Sequence, residues 1–211
     1  MRLLQAGIDE LPALDILDLK GRNGEEFATD EAAVWKRVLA YRMAFYLKPA
    51  SILETHPGMG ICSALYNHAS PDSELLNSSD IFNGGSAPAL IDIDPFGQPW
   101  DAIESLGDLV KNCEYLLITN GEAQAVVRNF QNALRYKTQN IGKRMPHWVT
   151  QEYIPMLESI TEKKVRFFYA FPTSVRVILS KRSLPISLWK NCPNWMWWLH
   201  KYASDTNLKV T

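Results

Sequence analysis

Two short segments carry residue types that could do chemistry. In Leu90-Ile91-Asp92-Ile93-Asp94-Pro95-Phe96-Gly97, an apolar run ends in a carboxylate, a proline carbonyl and an aromatic ring. A flat base bearing an exocyclic amine needs such a set: Asp94 can accept one N–H, the Pro95 carbonyl another, and Phe96 can stack on the base. In Ile52-Leu53-Glu54-Thr55-His56-Pro57-Gly58-Met59-Gly60, an acid ends an apolar run and two glycines spaced by one residue follow. Small residues there let the backbone approach a nucleotide-like ligand at the carboxyl end of a sheet. No Lys-Ser/Thr follows these glycines, which excludes a phosphate-gripping P-loop. Cys62 reads as a packed thiol, because no activating base can be placed beside it.

The elements that must position these residues alternate between short apolar runs and helical patterns, which indicates an α/β chain built around a parallel sheet. Thr29-Asp30-Glu31 caps a helix through Trp35, Val38, Leu39, Arg42, Phe45 and Tyr46 that Pro49 ends. A strand over 51–55, a helix over 61–69 and a second strand before Asp80 come next. The run 87–94 predicts a buried strand, 99–110 a helix, 115–119 a strand and 122–134 a helix. Periodicity fails over 135–146, a basic surface loop. A helix over 150–160 leads into runs 165–171 and 175–180, read as an antiparallel hairpin closing one sheet edge. We place one domain over 1–182 and a Trp-rich tail over 183–211 packing on it.

Composition bounds the remaining possibilities. The chain has 211 residues, 46% of them hydrophobic and 21% charged, so a sizeable core is available and disorder is excluded. No stretch approaches the ~20 apolar residues of a membrane span. Cys62, Cys113 and Cys192 cannot all pair within one chain, and no Cys/His cluster offers metal spacing, so a reducing, cytoplasmic setting is expected. The net charge of -1 conceals an asymmetry: residues 1–124 carry -11 and residues 125–211 carry +10. The basic half either faces phosphates or neutralises the acidic half. Trp189, Trp195, Trp197 and Trp198 lie near Lys190, His200 and Lys201. They read as sealing a small core or a homo-oligomer interface rather than as a base-stacking platform.

The motif Glu54-x-His56-x-Gly58-x-Gly60 resembles the first motif of class I S-adenosylmethionine methyltransferases, acid-x-Gly-x-Gly-x-Gly, with His56 standing at the first glycine. Upstream, Gly24-x-x-Phe27-x-Thr29 resembles the element by which many nucleic-acid methyltransferases set an aromatic against the cofactor. Downstream, Ser79-Asp80-Ile81-Phe82 resembles the acidic motif that contacts its adenine. The stretch from Ile91 to Pro99, followed by Leu116-Leu117-Ile118-Thr119-Asn120, is similar to the catalytic region of tRNA guanine-N2 dimethyltransferases over roughly residues 20–135. That family holds the guanine amine with its Asp-Pro-Phe-Gly loop. The resemblance implies a Rossmann-like class I sheet, mostly parallel with a C-terminal antiparallel hairpin, and S-adenosylmethionine as cofactor. Only 33 residues separate Gly60 from Asp94, so one strand–helix unit is shortened. The acid that grips the cofactor ribose has no clear equivalent; Asp72 and Glu74 fit poorly. On this resemblance the large tRNA-holding domain of that family is expected to be missing, leaving only the basic tail.

On this resemblance Phe27 and Thr29 flank the cofactor, Glu54, His56, Gly58 and Gly60 form its turn, and Asp80 receives the adenine amine. Asp94, Pro95 and Phe96 present the target. Methyl transfer to an amine is an in-line displacement in which the lone pair must be aimed, so orientation and hydrogen bonding carry the catalysis and no metal is needed. The expected partner is nucleic acid, RNA favoured over DNA, held by basic residues of 135–182. His56 either touches the cofactor or is simply hydrogen-bonded. His147 and Trp148 could reach the cleft, but placement outside it is preferred. The competing reading is a catalytically degenerate fold serving as a binding or assembly subunit. A third keeps the enzyme but gives it a small metabolite or a protein as substrate.

Overall fold

The computed structural model describes residues 31–58, 60–77, 86–95, 97–128, 134–136, 145–170 and 174–188. Helix α1 (Glu31–Leu47) precedes strand β1 (Ser51–Glu54), helix α2 (Ile61–Ala69) and strand β2 (Glu74–Leu76). Strand β3 (Leu90–Ile93), helices α3 (Trp100–Leu106) and α4 (Leu109–Asn112) and strand β4 (Tyr115–Asn120) follow. Then come helices α5 (Ala123–Val127) and α6 (Met145–Trp148), a π-helical turn (Val149–Tyr153) and helix α7 (Ile154–Thr161). Strands β5 (Lys164–Ala170) and β6 (Val175–Ser180) and a short 3-10 turn (Ile186–Leu188) complete the described chain.

The strands form one sheet in the order β2-β1-β3-β4-β6-β5. The first four run parallel, and β6 is antiparallel to both of its neighbours. This is the expected mostly parallel sheet with an antiparallel hairpin, and β2 is the strand between Gly60 and β3 among the described residues. Strands β3 and β6 are buried along their whole length, as sheets covered on both faces require. Alternation sorts their side chains into two cores. Leu53, Ile91, Ile93, Leu116, Ile118 and Val177 pack with Trp100, Ile103, Tyr153 and Leu157. On the other face Ile52, Leu90, Leu117 and Ile178 pack with Trp35, Val38, Leu39 and Met43 of α1 and Tyr66 of α2.

Two helices differ from expectation for identifiable reasons. The helix expected over 99–110 is split, because Gly107 takes φ +51°, closes α3 with its N–H on the Ile103 carbonyl, and lets α4 start afresh. The helix expected from residue 150 starts at Met145 and widens into a π turn just before Pro155, whose ring nitrogen has no hydrogen to donate to the preceding turn. Of the helix expected over 122–134 the structure describes Ala123–Val127. Residues 184–188, assigned above to the tail, place Leu184 and Leu188 in the α1 core, where Arg42 donates to the Leu188 carbonyl at 2.9 Å. The four tail tryptophans lie outside the described residues. Among the described residues no helix is long and apolar enough to cross a membrane.

Candidate active site

Register assembles a polar cluster at the carboxyl end of the parallel strands. Glu54 pairs with Asp92 across β1 and β3, and Thr119 pairs with Arg176 across β4 and β6, which in turn pairs with Tyr169 of β5. These positions continue the face that packs on α1 and α2. Asp94, two residues beyond Asp92, therefore belongs to the same face.

Asp92 and Arg176 are fully buried, and Arg176 Nη2 donates to Asp92 Oδ2 at 2.8 Å. Tyr66 of α2 donates its hydroxyl to the same oxygen at 2.5 Å, and Arg176 Nη1 donates to Thr119 Oγ1 at 2.7 Å. Asp94 is 18% exposed and receives Lys36 Nζ of α1 on both oxygens, at 2.9 and 2.8 Å, with Arg176 Nη1 3.6 Å away. Burial pushes the Asp94 carboxyl up, but the Arg176 and Lys36 cations outweigh it and hold the group below the usual carboxylate range. Glu54 accepts the Ser63 hydroxyl at 2.5 Å, yet burial, reinforced by the Asp92 charge, raises its carboxyl to about 7. Loss of solvation, then Asp92 and Glu54, push the Cys62 thiol up to about 12, which makes it inert as a nucleophile.

The turn after β1 is tight at its glycines. Gly58 and Gly60 take φ of +54° and +78°, and the Gly60 N–H closes on the Pro57 carbonyl at 2.7 Å. Among the described residues a Cβ on Gly60 would meet no atom within 4 Å, so its positive φ rather than crowding demands glycine. A side-chain-free backbone at Gly58 and Gly60, beside the half-buried Glu54 carboxylate, could hold the amino-acid end of a nucleoside cofactor. Beyond β3, the Gly121 N–H donates to the Gly97 carbonyl at 2.6 Å, which ties the loop after Asp94 to the end of β4. Glu122 fastens the same corner: it accepts Trp100 Nε1 at 2.7 Å and the Arg135 N–H at 2.7 Å.

The structure brings Glu54, Gly58, Gly60, Asp94 and Pro95 to one sheet edge. His56 is exposed and its Nδ1 lies 2.6 Å from the Thr55 hydroxyl. Phe27, Thr29, Asp80 and Phe96 lie outside the described residues. His147 is exposed, whereas Trp148 is buried and stacks on Tyr153.

Sequence reasoning missed Lys36, Tyr66 and Arg176. Lys36 sits on a helix face recognisable only by its apolar neighbours, and Arg176 falls within the basic stretch 135–182 expected to face phosphates. Several basic side chains of 135–182 engage the chain itself. Lys163 is buried on the carbonyls of Val110 and Lys111, Arg135 pairs with Glu104, and Lys164 pairs with Glu158.

No protein-family model and no curated protein matches the sequence. Among solved structures, the chain is similar to Trm1 from Pyrococcus horikoshii in complex with S-adenosyl-L-methionine, at TM-score 0.54 and 15% identity. The match covers 69% of this chain and 53% of that one, so this chain corresponds to about half of that protein. An O-methyltransferase family protein from Burkholderia thailandensis aligns at TM-score 0.46 and 12% identity, covering 87% of this chain and 71% of that chain. Human N-acetylserotonin methyltransferase in complex with SAM aligns at TM-score 0.42 and 12% identity, covering 84% and 65%. The likeness to Trm1 establishes a Rossmann-like methyltransferase fold.

Proposed function

We propose that this chain is an S-adenosylmethionine-dependent methyltransferase acting on an exocyclic amine of a nucleic-acid base, with RNA favoured over DNA. The observation that carries the reading is one sheet edge presenting both a left-handed glycine turn beside Glu54 and an Asp94 carboxylate held by two cations. Glu54 and the backbone of Gly58 and Gly60 would hold the cofactor, with Phe27, Thr29 and Asp80 assigned to it by motif. S-adenosylmethionine, when bound, supplies an electrophilic sulfonium methyl group.

The chain's own residues aim the acceptor. Asp94 and the Pro95 carbonyl accept the two amine hydrogens, which turns the nitrogen lone pair out of conjugation, and Phe96 stacks on the base. Because Arg176 and Lys36 keep Asp94 ionised, it accepts hydrogen bonds at neutral pH without first losing a proton. Calorimetric titration of S-adenosylmethionine should give saturable binding, and labelled methyl transfer should be retained on RNA in preference to DNA or protein. Absence of cofactor binding overturns the reading.

A second reading is favoured by Lys36, whose ammonium already donates to both Asp94 oxygens. On that reading the fold is a non-catalytic binding or assembly subunit, with the Trp-rich tail as its interface. Light scattering that finds an obligate complex, together with no cofactor binding, selects it.

A further inference from the structure

We infer that Arg176 is a positioning residue that sets the direction of the Asp94 carboxylate from beneath the sheet edge; only the kinetic part of this inference rests on the methyl-transfer reading. Strand β6 lies two strands away from β3, and its Arg176 reaches across β4 to meet both acids of the Asp92-Ile93-Asp94 strand end. The guanidinium is planar, and its two terminal nitrogens are spent on different strands, Nη1 on Thr119 and Nη2 on Asp92. With the fork pinned at both prongs, the charge stands at a fixed place 3.6 Å from Asp94 Oδ2. That distance is ionic rather than hydrogen-bonding, so Arg176 orients Asp94 without consuming the lone pair an incoming N–H would need.

The contrast with Lys36 separates the roles. Lys36 approaches Asp94 from α1 with a side chain 24% exposed, whereas Arg176 is wholly enclosed. An incoming donor can displace the first and cannot move the second. Among the described residues the groups facing this cluster are Lys36 of α1; Cys62, Ser63 and Tyr66 of α2; Glu54 of β1; Asp92 of β3; Thr119 of β4; and Tyr169 of β5. Among them Arg176 is the cation in contact with both Asp92 and Asp94. Full burial also removes Arg176 from any phosphate-facing surface, so its place in the basic half reflects internal neutralisation.

Two variants test this. Arg176→Lys keeps the charge and loses the fork; Asp92→Asn/Arg176→Gln removes the buried pair together, so that no charge is orphaned if Arg176→Gln alone fails to fold. Carbon-detected NMR titration follows the Asp94 carboxyl, calorimetry follows S-adenosylmethionine, and methyl-transfer kinetics separate kcat from KM. In the double variant Asp94 should titrate higher, because losing the Arg176 cation 3.6 Å away outweighs losing the Asp92 charge. In Arg176→Lys, kcat should fall about tenfold with cofactor Kd within about twofold of wild type. An Asp94 titration that coincides with wild type in the double variant, or an unchanged kcat in Arg176→Lys, overturns the inference. If Asp94 shifts while the wild-type chain neither binds the cofactor nor transfers methyl, the methyl-transfer reading fails and the role of Arg176 stands.

Discussion

Asp94 and Glu54 lie on the same face of the same sheet edge, and their carboxyls are driven in opposite directions. Asp94 has two cations at hand and is held low; Glu54 has burial and a like charge and is raised to about 7. Asp94→Ala should therefore cost about 100-fold or more in kcat, the scale of losing one oriented polar contact to a reacting group, with cofactor affinity little changed. Steady-state kinetics beside calorimetry would show it. For Glu54 the sign follows from linkage. Its folded pKa of about 7 exceeds the ordinary 4.5, so the stability it contributes is complete below pH 4.5 and is lost as pH rises through about 7. Denaturant titrations at pH 5 and pH 8 should give a smaller difference for Glu54→Gln than for wild type. Tyr66→Phe removes a donor from buried Asp92 and should destabilise the chain by about 1–3 kcal/mol in the same assay.

At the scale of elements, the two loops of the site are held by backbone contact as much as by side chains. A Cβ on Gly121 would stand 2.9 Å from the Gly97 carbonyl oxygen, so Gly121→Ala must push apart the loops that follow β3 and β4. A loss of about 1–3 kcal/mol is expected on thermal denaturation, and kcat should fall because the Asp94 loop moves with Gly97. Strands β1, β3 and β4 were legible because each is a short apolar run bounded by turn residues, and Asp94 stood out because it ends one of them. The break at Gly107 carried a signal, a glycine before an aspartate, that helical periodicity on either side outweighed. The π turn had a fainter one in Pro155. Lys36 and Arg176 were not legible as site residues, since their partners lie 58 and 84 residues away and only the strand order brings them together.

Across the whole molecule, opposite charge in the two halves of the chain is partly consumed in joining them. Arg135 meets Glu104 and Asp101, and Arg176 meets Asp92 and Asp94. Lys164 pairs with Ser180 across the hairpin, at the end of β4 marked by Tyr115 and opposite the Asn120 end that adjoins the site. The described basic residues would then leave few phosphate contacts beside the proposed site. RNA affinity should fall only about tenfold between ~50 and ~200 mM salt, the response of roughly two phosphate contacts. A fluorescence-anisotropy series would measure the slope, and a much steeper one would mean that the far end of the sheet also binds.

The insertion of β6 between β4 and β5 also imposes an order of events on synthesis. Asp92 leaves the ribosome 84 residues before the arginine that neutralises it, so the nascent β3 cannot bury its acid until nearly the whole described chain has emerged. A truncation before residue 176 would thus strand a lone carboxylate in a dry interior, and ribosome-stalled fragments of that length should remain protease-sensitive even though four parallel strands are already translated.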